Sequence, residues 1–230
     1  MTDNTYVQVV DMVGGAKIAL KQVKVETKGG FNFYKVDSIT NWYAVSGNPQ
    51  FIVNGDFFNQ KINPTTISFA IRSNSQLVEP GGDANGNKRQ IEFFTGRGAA
   101  VLPASAWRMA NTTAQNALGG HAPSDTPTPN APRGRTSICT VSLGTPENPS
   151  RFFLVFLHIK ATKDQVAGDM AAWNCAYGSE IIMDGSASSQ MVYREAGIPR
   201  QLYGVADGDI IRRPVPQIIA IYNNGFGSFS

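Results

Sequence analysis

The sequence predicts an α+β fold: a single β-rich domain over residues 1–230, with a mixed or mostly antiparallel sheet and a few helices. Short runs of β-branched and aromatic residues, separated by Gly, Pro and Asn, recur along the chain and are typical of strands joined by turns. One segment, by contrast, has both the cap and the apolar spacing of a helix. Neither an internal repeat nor a linker-like stretch divides the chain, which favours one domain.

Most of the elements read as strands. The near-continuous apolar run Phe152 to Ile159 predicts a central strand, and we expect its His158 to be a core or edge histidine, not a ligand. Shorter runs that we expect to form strands are Val7 to Val10, Ala16 to Val25, Phe31 to Val36, Asn41 to Val45, Phe51 to Val53, Glu180 to Met183 and Val215 to Tyr222.

The expected helix begins after Thr162. Thr162 and Gln165 form a capping-box pair, in which the hydroxyl accepts the third helical N–H and the Gln reaches back. Gly178 can adopt the left-handed conformation that ends a helix. Spacings of three and four give the helix one apolar stripe, made of Val166, Met170, Trp173 and Tyr177.

Composition limits the classes of partner. With 230 residues, 42% hydrophobic and 16% charged, the chain is long enough for a substantial core. A net charge of +3 without a block of Lys and Arg argues against a nucleic-acid groove. The longest apolar run is too short to span a bilayer, and nothing indicates an oligomeric state.

The N-terminus and the cysteines bear on the compartment. Met1 to Val10 carries Asp3 and no basic residue before its apolar run, which is not typical of a secretory signal. We therefore expect a cytoplasmic protein, or one that leaves by another route, such as assembly into a virus particle. Cys139 and Cys175 show no C-x-x-C spacing, so two buried free thiols are expected, with pairing in an oxidising compartment as the alternative.

Residues 111–134 predict a long irregular loop, because they hold four prolines and Gly119-Gly120. The loop runs straight into Arg135, so we expect it to act as a lid over a site. Asp83, Asn85 and Asn87 imitate the first ligands of a calcium loop, but the required Gly and Glu are missing, and we expect a solvated loop there.

Two short motifs follow expected strands and carry candidate chemistry. Asp184-Gly185 follows an apolar strand and precedes small residues that leave room for a ligand, including Ser188 and Ser189. Asn54-Gly55-Asp56 follows another strand, and an Asn amide can donate to a phosphate oxygen and can both donate to and accept from a sugar hydroxyl. Asp-Gly and Asn-Gly are also strong hairpin signals, so plain turns are the alternative for both.

Four segments, in order, resemble the phosphodiester glycosidase family, which includes the "uncovering enzyme" that removes N-acetylglucosamine from a phosphodiester. The segments span roughly residues 50 to 222 and are Asn54-Gly55-Asp56-Phe57-Phe58, Arg135-Thr136-Ser137-Ile138, Ile181 to Met191, and Arg213-Pro214-Val215-Pro216 with the strand that follows. The sequence departs from the family's Asp-Gly-Gly-Gly-Ser pattern at Ser186 and Ala187, which makes the turn less permissive.

The resemblance implies hydrolysis of a sugar-1-phosphodiester at the anomeric C–O bond, with no cofactor, although a divalent cation stays open. It implies Asp184 as the carboxylate at the anomeric carbon and Asp56 as a second one. Arg135 would bind phosphate through its planar fork. The further ligands it implies are Asn54, Gly55, Gly185, Ser188, Ser189 and Arg213, the last with a surface arginine as the alternative.

Two other functions are alternatives. A serine hydrolase would use Ser186, Ser188 or Ser189 as its nucleophile, but Gly185-Ser186-Ala187-Ser188 is not a G-x-S-x-G elbow. A module that binds a glycan, sugar phosphate or nucleotide without consuming it would keep the same motifs, and a virus-encoded protein of either kind would look alike.

Overall fold

The computed structural model describes residues 4–81, 88–125, 130–206, 209–210 and 212–223. Within these ranges the α-helices are α1 (Ile39–Val45), α2 (Ala106–Asn111) and α3 (Lys163–Ala172), and the 3-10 turns are Pro123–Asp125 and Ser186–Ser188. The strands in chain order are β1 (Thr5–Asp11), β2 (Lys17–Gln22), β3 (Lys24–Lys28), β4 (Phe31–Tyr34), β5 (Phe51–Asn54), β6 (Ile71–Ser73), β7 (Gln76–Glu79), β8 (Lys88–Phe94), β9 (Gly98–Pro103), β10 (Asn116–His121), β11 (Arg133–Thr140), β12 (Phe152–Ala161), β13 (Glu180–Ile182), β14 (Gln190–Glu195), β15 (Ile198–Tyr203), β16 (Val205–Ala206), β17 (Asp209–Ile210) and β18 (Gln217–Tyr222).

Two antiparallel sheets pack face to face. The larger runs β1-β12-β11-β13-β10-β6-β7, with β8 also paired to β10 and β9 paired to β8, and the smaller runs β15-β14-β5-β18-β2. The core between them takes side chains from both sheets, for example Ile138 and Val155 from the larger and Val53 and Ile219 from the smaller. The mostly antiparallel single domain is as predicted, and helices contribute less than the α+β label suggests.

A helix covers the outer face of each sheet. On the smaller sheet, Ile39 and Trp42 of α1 pack on residues of β5, β14 and β18. On the larger sheet, Val166 and Met170 of α3 pack on the outer side chains of β11, β12 and β13. His158 of β12 is fully buried under α3, as expected for a core histidine, and its Nε2 lies 3.2 Å from Asp169 Oδ2.

The predicted start of α3 is confirmed and its predicted end is wrong. The Thr162 hydroxyl accepts from Gln165 N and the Gln165 side chain accepts from Thr162 N, so the capping box is complete. The helix ends at Ala172, five residues before Tyr177. Tyr177 is 95% exposed in the turn that follows and does not extend the apolar stripe.

The strand expected at Asn41 to Val45 is wrong, because these residues belong to α1. Ser38 caps the helix by accepting from Asn41 N, and the indole N–H of Trp42 donates to Val215 O at 2.8 Å. This long-range bond and the burial of Trp42 outweigh the strand propensity of the short segment. The helix α2 was not expected at all.

The irregular loop expected at residues 111–134 is wrong over Asn116–His121, which form β10. This strand pairs with β8, β6 and β13 and is entirely buried. The glycines fit because a side chain at Gly119 would collide with Phe69 and one at Gly120 with the backbone of Ile182. Residues 126–129, part of the predicted lid, and the calcium-like residues 83, 85 and 87 lie outside the described residues.

The two cysteines form a disulfide, so the expectation of free thiols is wrong. The bond joins Cys139 of β11 to Cys175 in the turn after α3, with a Cα–Cα distance of 5.7 Å. Such bonds are typical of oxidising compartments. No helix within the described ranges is long and apolar enough to cross a membrane.

Candidate functional site

The candidate site lies where the ends of β13 and β5 meet at the seam between the sheets. Met183 N donates to Thr136 O of β11. After this bond the chain leaves β13 and runs toward the smaller sheet. The next residue, Asp184, donates its backbone N–H to Gly55 O at 3.1 Å, just beyond β5. The Asp-Gly and Asn-Gly motifs are therefore in direct contact.

Asn54 joins three segments of the site through its buried side chain. Its Nδ2 donates to Asp184 O at 2.8 Å, and its Oδ1 accepts from Thr136 Oγ1 at 2.7 Å and from Gln190 N at 3.0 Å. These bonds fix the backbone that carries Asp184. The geometry is that of a positioning residue, not of a side chain open to a sugar or phosphate.

Asp184 contributes a buried carboxyl group to the site. Its Oδ1 accepts from Gly185 N at 2.9 Å, while its buried Oδ2 accepts no bond of normal geometry from a described residue. Burial raises the pKa of Asp184 to about 6, against the opposing effects of the Ser188 hydroxyl, the Gly185 N–H and the Arg213 charge. A carboxyl group of this kind titrates near neutrality and can exchange a proton.

We expect Asp184→Asn to raise the free energy of unfolding at about pH 8 by up to about 3 kcal/mol. The folded pKa of about 6 lies above the ordinary 3.8, so folding disfavours the carboxylate. This cost is absent below about pH 4, grows as the pH rises to about 6 and is complete above it. Urea denaturation of both proteins at about pH 4 and pH 8 measures the difference. Equal stability at the higher pH would show that the Asp184 carboxylate is well solvated.

Asp56, the second predicted carboxylate, is buried with both oxygens occupied. Its Oδ1 accepts from Phe57 N at 2.6 Å and its Oδ2 from Phe69 N at 3.1 Å. Burial raises the pKa of Asp56 well above its usual range, although these two N–H groups oppose the rise and the Asp184 charge adds to it. Asp56 thus ties the segment after β5 to the one before β6 beside Asp184.

Gly55 is required by a close approach of the Gln217 side chain. A Cβ at Gly55 would lie 1.5 Å from Gln217 Oε1, the atom that accepts from Asp56 N at 2.9 Å. Gly55 N in turn donates to Gln217 O at 3.2 Å. The Gln217 amide therefore holds the Asn-Gly-Asp turn against β18.

The turn after Asp184 packs closely against the backbone of a neighbouring segment. Ser186 adopts a left-handed conformation with φ 60°, which costs a non-glycine residue about 1 kcal/mol. Its carbonyl lies so close to Gly134 that a Cβ there would be 2.4 Å away. A glycine at this position would carry no such cost.

Ser188, Ser189 and Arg213 complete the surroundings of Asp184. Arg213 is half-buried, its Nη1 donates to Ser188 Oγ at 3.4 Å, and its charge lowers the pKa of Asp184. Ser189 is fully buried, and its Oγ has no hydrogen-bond partner among the described residues. Arg213 is thus the cation that the structure brings to Asp184.

Arg135 lies on the other side of the larger sheet. Side chains alternate along a strand, and Thr136 faces the seam, so Arg135 faces α3. Its Nε donates to Ala161 O at 3.3 Å and its Nη2 to Ala131 O at 3.2 Å. The structure does not bring Arg135 to Asp184.

Two glutamines with structural roles in the site were not expected from the sequence. Gln190 donates its backbone N–H to Asn54 and its side-chain amide to Ala187 O and Arg213 O. Gln217 holds the turn at Gly55. In the sequence, each of these glutamines comes directly before a run of apolar residues that forms a strand. An amide is uncommon at such a buried position, where an aliphatic residue is usual.

The structure is a two-sheet antiparallel sandwich with a buried, hydrogen-bonded aspartate at the seam between the sheets. It is similar to the catalytic domain of zebrafish N-acetylglucosamine-1-phosphodiester alpha-N-acetylglucosaminidase, solved in a form auto-inhibited by its pro-peptide. The TM-score is 0.61 and the identity 11%, covering 96% of this chain and 89% of that chain. At this identity the likeness shows the fold alone. No family model matches the sequence, and no curated protein matches it.

Proposed function

We propose that the protein is a hydrolase that cleaves a sugar-1-phosphodiester, such as one of N-acetylglucosamine, at the anomeric C–O bond. The proposal rests on the contact between the Asn54-Gly55 and Asp184-Gly185 motifs, both of which resemble segments of the phosphodiester glycosidase family. It is supported by the similarity of the fold to that of a phosphodiester glycosidase domain. The products would be a free sugar and a phosphomonoester. A phosphomonoester leaves readily, so the site has little need of a strong general acid.

In this proposal Asp184 acts at the anomeric carbon, as the base for water or as the nucleophile. Of the two carboxyl groups, it is the one with an oxygen that accepts no bond of normal geometry from a described residue. Its ionised form predominates above about pH 6. Asp56 would act by positioning, since both of its oxygens accept backbone N–H groups.

Arg213 is the proposed phosphate ligand, in place of Arg135. A guanidinium donates two parallel bonds to phosphate oxygens and neutralises their charge. Arg213 stands beside Ser188 and Asp184, whereas Arg135 is buried against α3. The hydroxyls of Ser188 and Ser189 lie in the turn after Asp184 and are proposed substrate ligands, whereas the Gly185 N–H already donates to Asp184 Oδ1.

The test is a product assay with a panel of sugar-1-phosphodiesters that includes UDP-sugars. Free sugar and phosphomonoester are followed by mass spectrometry, and cleavage in ¹⁸O-labelled water shows which product gains the label. Label in the sugar supports anomeric C–O cleavage, and label in the phosphate contradicts it. A ligand that raises the melting temperature without being consumed would favour the non-catalytic binding module.

We expect Arg213→Gln to raise KM for a cleaved phosphodiester about tenfold or more, because a charge-assisted bond to phosphate contributes about 1.5 to 3 kcal/mol. Arg212→Gln, at the neighbouring exposed arginine, is the matched control and should leave KM near the wild-type value. Steady-state kinetics of both variants measures the difference. Equal KM values in wild type and Arg213→Gln would remove Arg213 from the phosphate subsite.

A further inference from the structure

A cavity of about 320 Å³ lies on the outer face of the larger sheet, beside the C-terminal half of α3. Its volume is within the range of small-molecule sites. Its floor is apolar and includes Ala122, Met170 and Ala171, together with the disulfide-bonded Cys175. The strand β8 and the turn after α3 form its walls.

Among the described residues that line this cavity, one is a cation and one is an anion. Arg89 is half-buried and makes no ion pair with a residue in the described ranges. Glu180 accepts from Gly178 N through Oε2 at 2.8 Å, and its Oε1 accepts no hydrogen bond from a described residue. The two charges balance, so the lining does not favour a strongly charged ligand. A hydroxyl group suits both, because it accepts from a guanidinium and donates to a carboxylate.

Tyr177 gives the cavity an exposed aromatic ring. It is 95% exposed, although a tyrosine commonly buries most of its ring. The turn around it is fixed by the adjacent disulfide at Cys175 and by the bond from Ala176 N to Thr140 O. An aromatic face on a rigid turn is suited to stack on the apolar C–H face of a sugar ring.

We propose that this cavity is a binding site for a neutral sugar, separate from Asp184. The sugar's C–H face packs on Tyr177 and the apolar floor, and its hydroxyls bond to Arg89 and Glu180. The proposal does not rest on the function proposed above, since neither Asp184 nor Arg213 lines this cavity. It would serve either a hydrolase or a binding module by holding a sugar unit of a glycan.

The test is isothermal titration of the full chain with neutral disaccharides of glucose, mannose and N-acetylglucosamine at millimolar concentrations. We expect at least one to bind, and Tyr177→Ala to raise its Kd about tenfold, as expected when an aromatic contact of roughly 1.4 kcal/mol is lost. Arg89→Gln should also weaken binding. Trp107→Ala, at an aromatic residue of α2 that is 73% exposed, is the matched control and should not change Kd.

Three outcomes would overturn the proposal. No disaccharide binds, or the Kd is the same in Tyr177→Ala and wild type, or the phosphate ester of a sugar binds more tightly than the neutral sugar. Asp184→Asn separates this site from the seam, because it should leave disaccharide binding intact. Loss of binding in that variant alone would instead locate the sugar at Asp184. Tyr177 and Arg89 are not core residues, so these variants should fold normally.

Discussion

Asp184→Asn should lower the turnover of a cleaved sugar-1-phosphodiester by roughly 10² to 10⁴ while the fold stays intact. The amide can still accept from Gly185 N, so the turn keeps its bond, but it can neither take a proton from water nor form a glycosyl ester. In the wild type, kcat/KM should fall tenfold for each pH unit below about pH 6, because the ionised carboxylate is the active form. This acid limb should be absent from the residual activity of the variant.

The control for this variant is Glu195→Gln, an amide replacement at an exposed carboxylate of β14 that pairs with Arg200 on the surface. It should retain wild-type turnover. Circular dichroism and the urea midpoint of each protein establish that both are folded. A folded Asp184→Asn protein with unchanged turnover would exclude Asp184 from the chemistry. An acid limb that persists in the variant would assign the titration to another group.

Removal of the disulfide should lower the free energy of unfolding by about 2 to 4 kcal/mol. The bond closes a sequence separation of 36 residues and joins β11 to the turn after α3, so its loss frees the unfolded chain and loosens the turn. The change to test is Cys139→Ala with Cys175→Ala, since Cys139 is fully buried and a Ser hydroxyl there would lack partners. Denaturant melts of wild type and variant measure the loss.

A reducing agent provides the matching control. Dithiothreitol should destabilise the wild type by about as much as the double substitution and should not affect the double variant. A wild type that is indifferent to dithiothreitol, with two thiols titrated by Ellman's reagent, would restore the free cysteines that the sequence favoured. Loss of disaccharide binding on reduction is also expected, since Cys175 lies in the floor of the cavity beside Tyr177.

The positions of Asp184 and Asn54 at strand ends could be predicted because the signal is local. Each is preceded by a buried apolar strand and followed by glycine, and both features lie within a few residues in sequence. The face on which Arg135 lies could not be predicted. Arg135 and Thr136 must point to opposite faces of β11, but the sequence does not tell which of the two points to the seam. A shift of one residue in the pairing of a strand exchanges its two faces.

Several other features were set by contacts distant in sequence. Residues 41–45 have strand propensity yet form part of α1, where Trp42 bonds to Val215 O. The buried strand β10 lies in a stretch that looks irregular because its glycines are selected by neighbours, Phe69 and Ile182, that sequence spacing does not reveal. The pairing of Cys139 with Cys175 required the turn after α3 to fold back onto β11.

The sequence by itself determined the β-rich class, the capped start of α3, the buried strand β12 and the strand-end motifs, because propensity, caps and short spacings act within one segment. The strand β12 is interior but not central, since it lies next to the edge strand β1. Only the tertiary structure decided which charged groups meet. It put Arg213 beside Asp184 and Arg135 under α3, and it engaged both oxygens of Asp56. The reason is physical. Packing between segments far apart in the chain decides how deeply a side chain is buried and which groups it contacts. Burial and contacts in turn determine its pKa and which of its polar atoms have no hydrogen-bond partner.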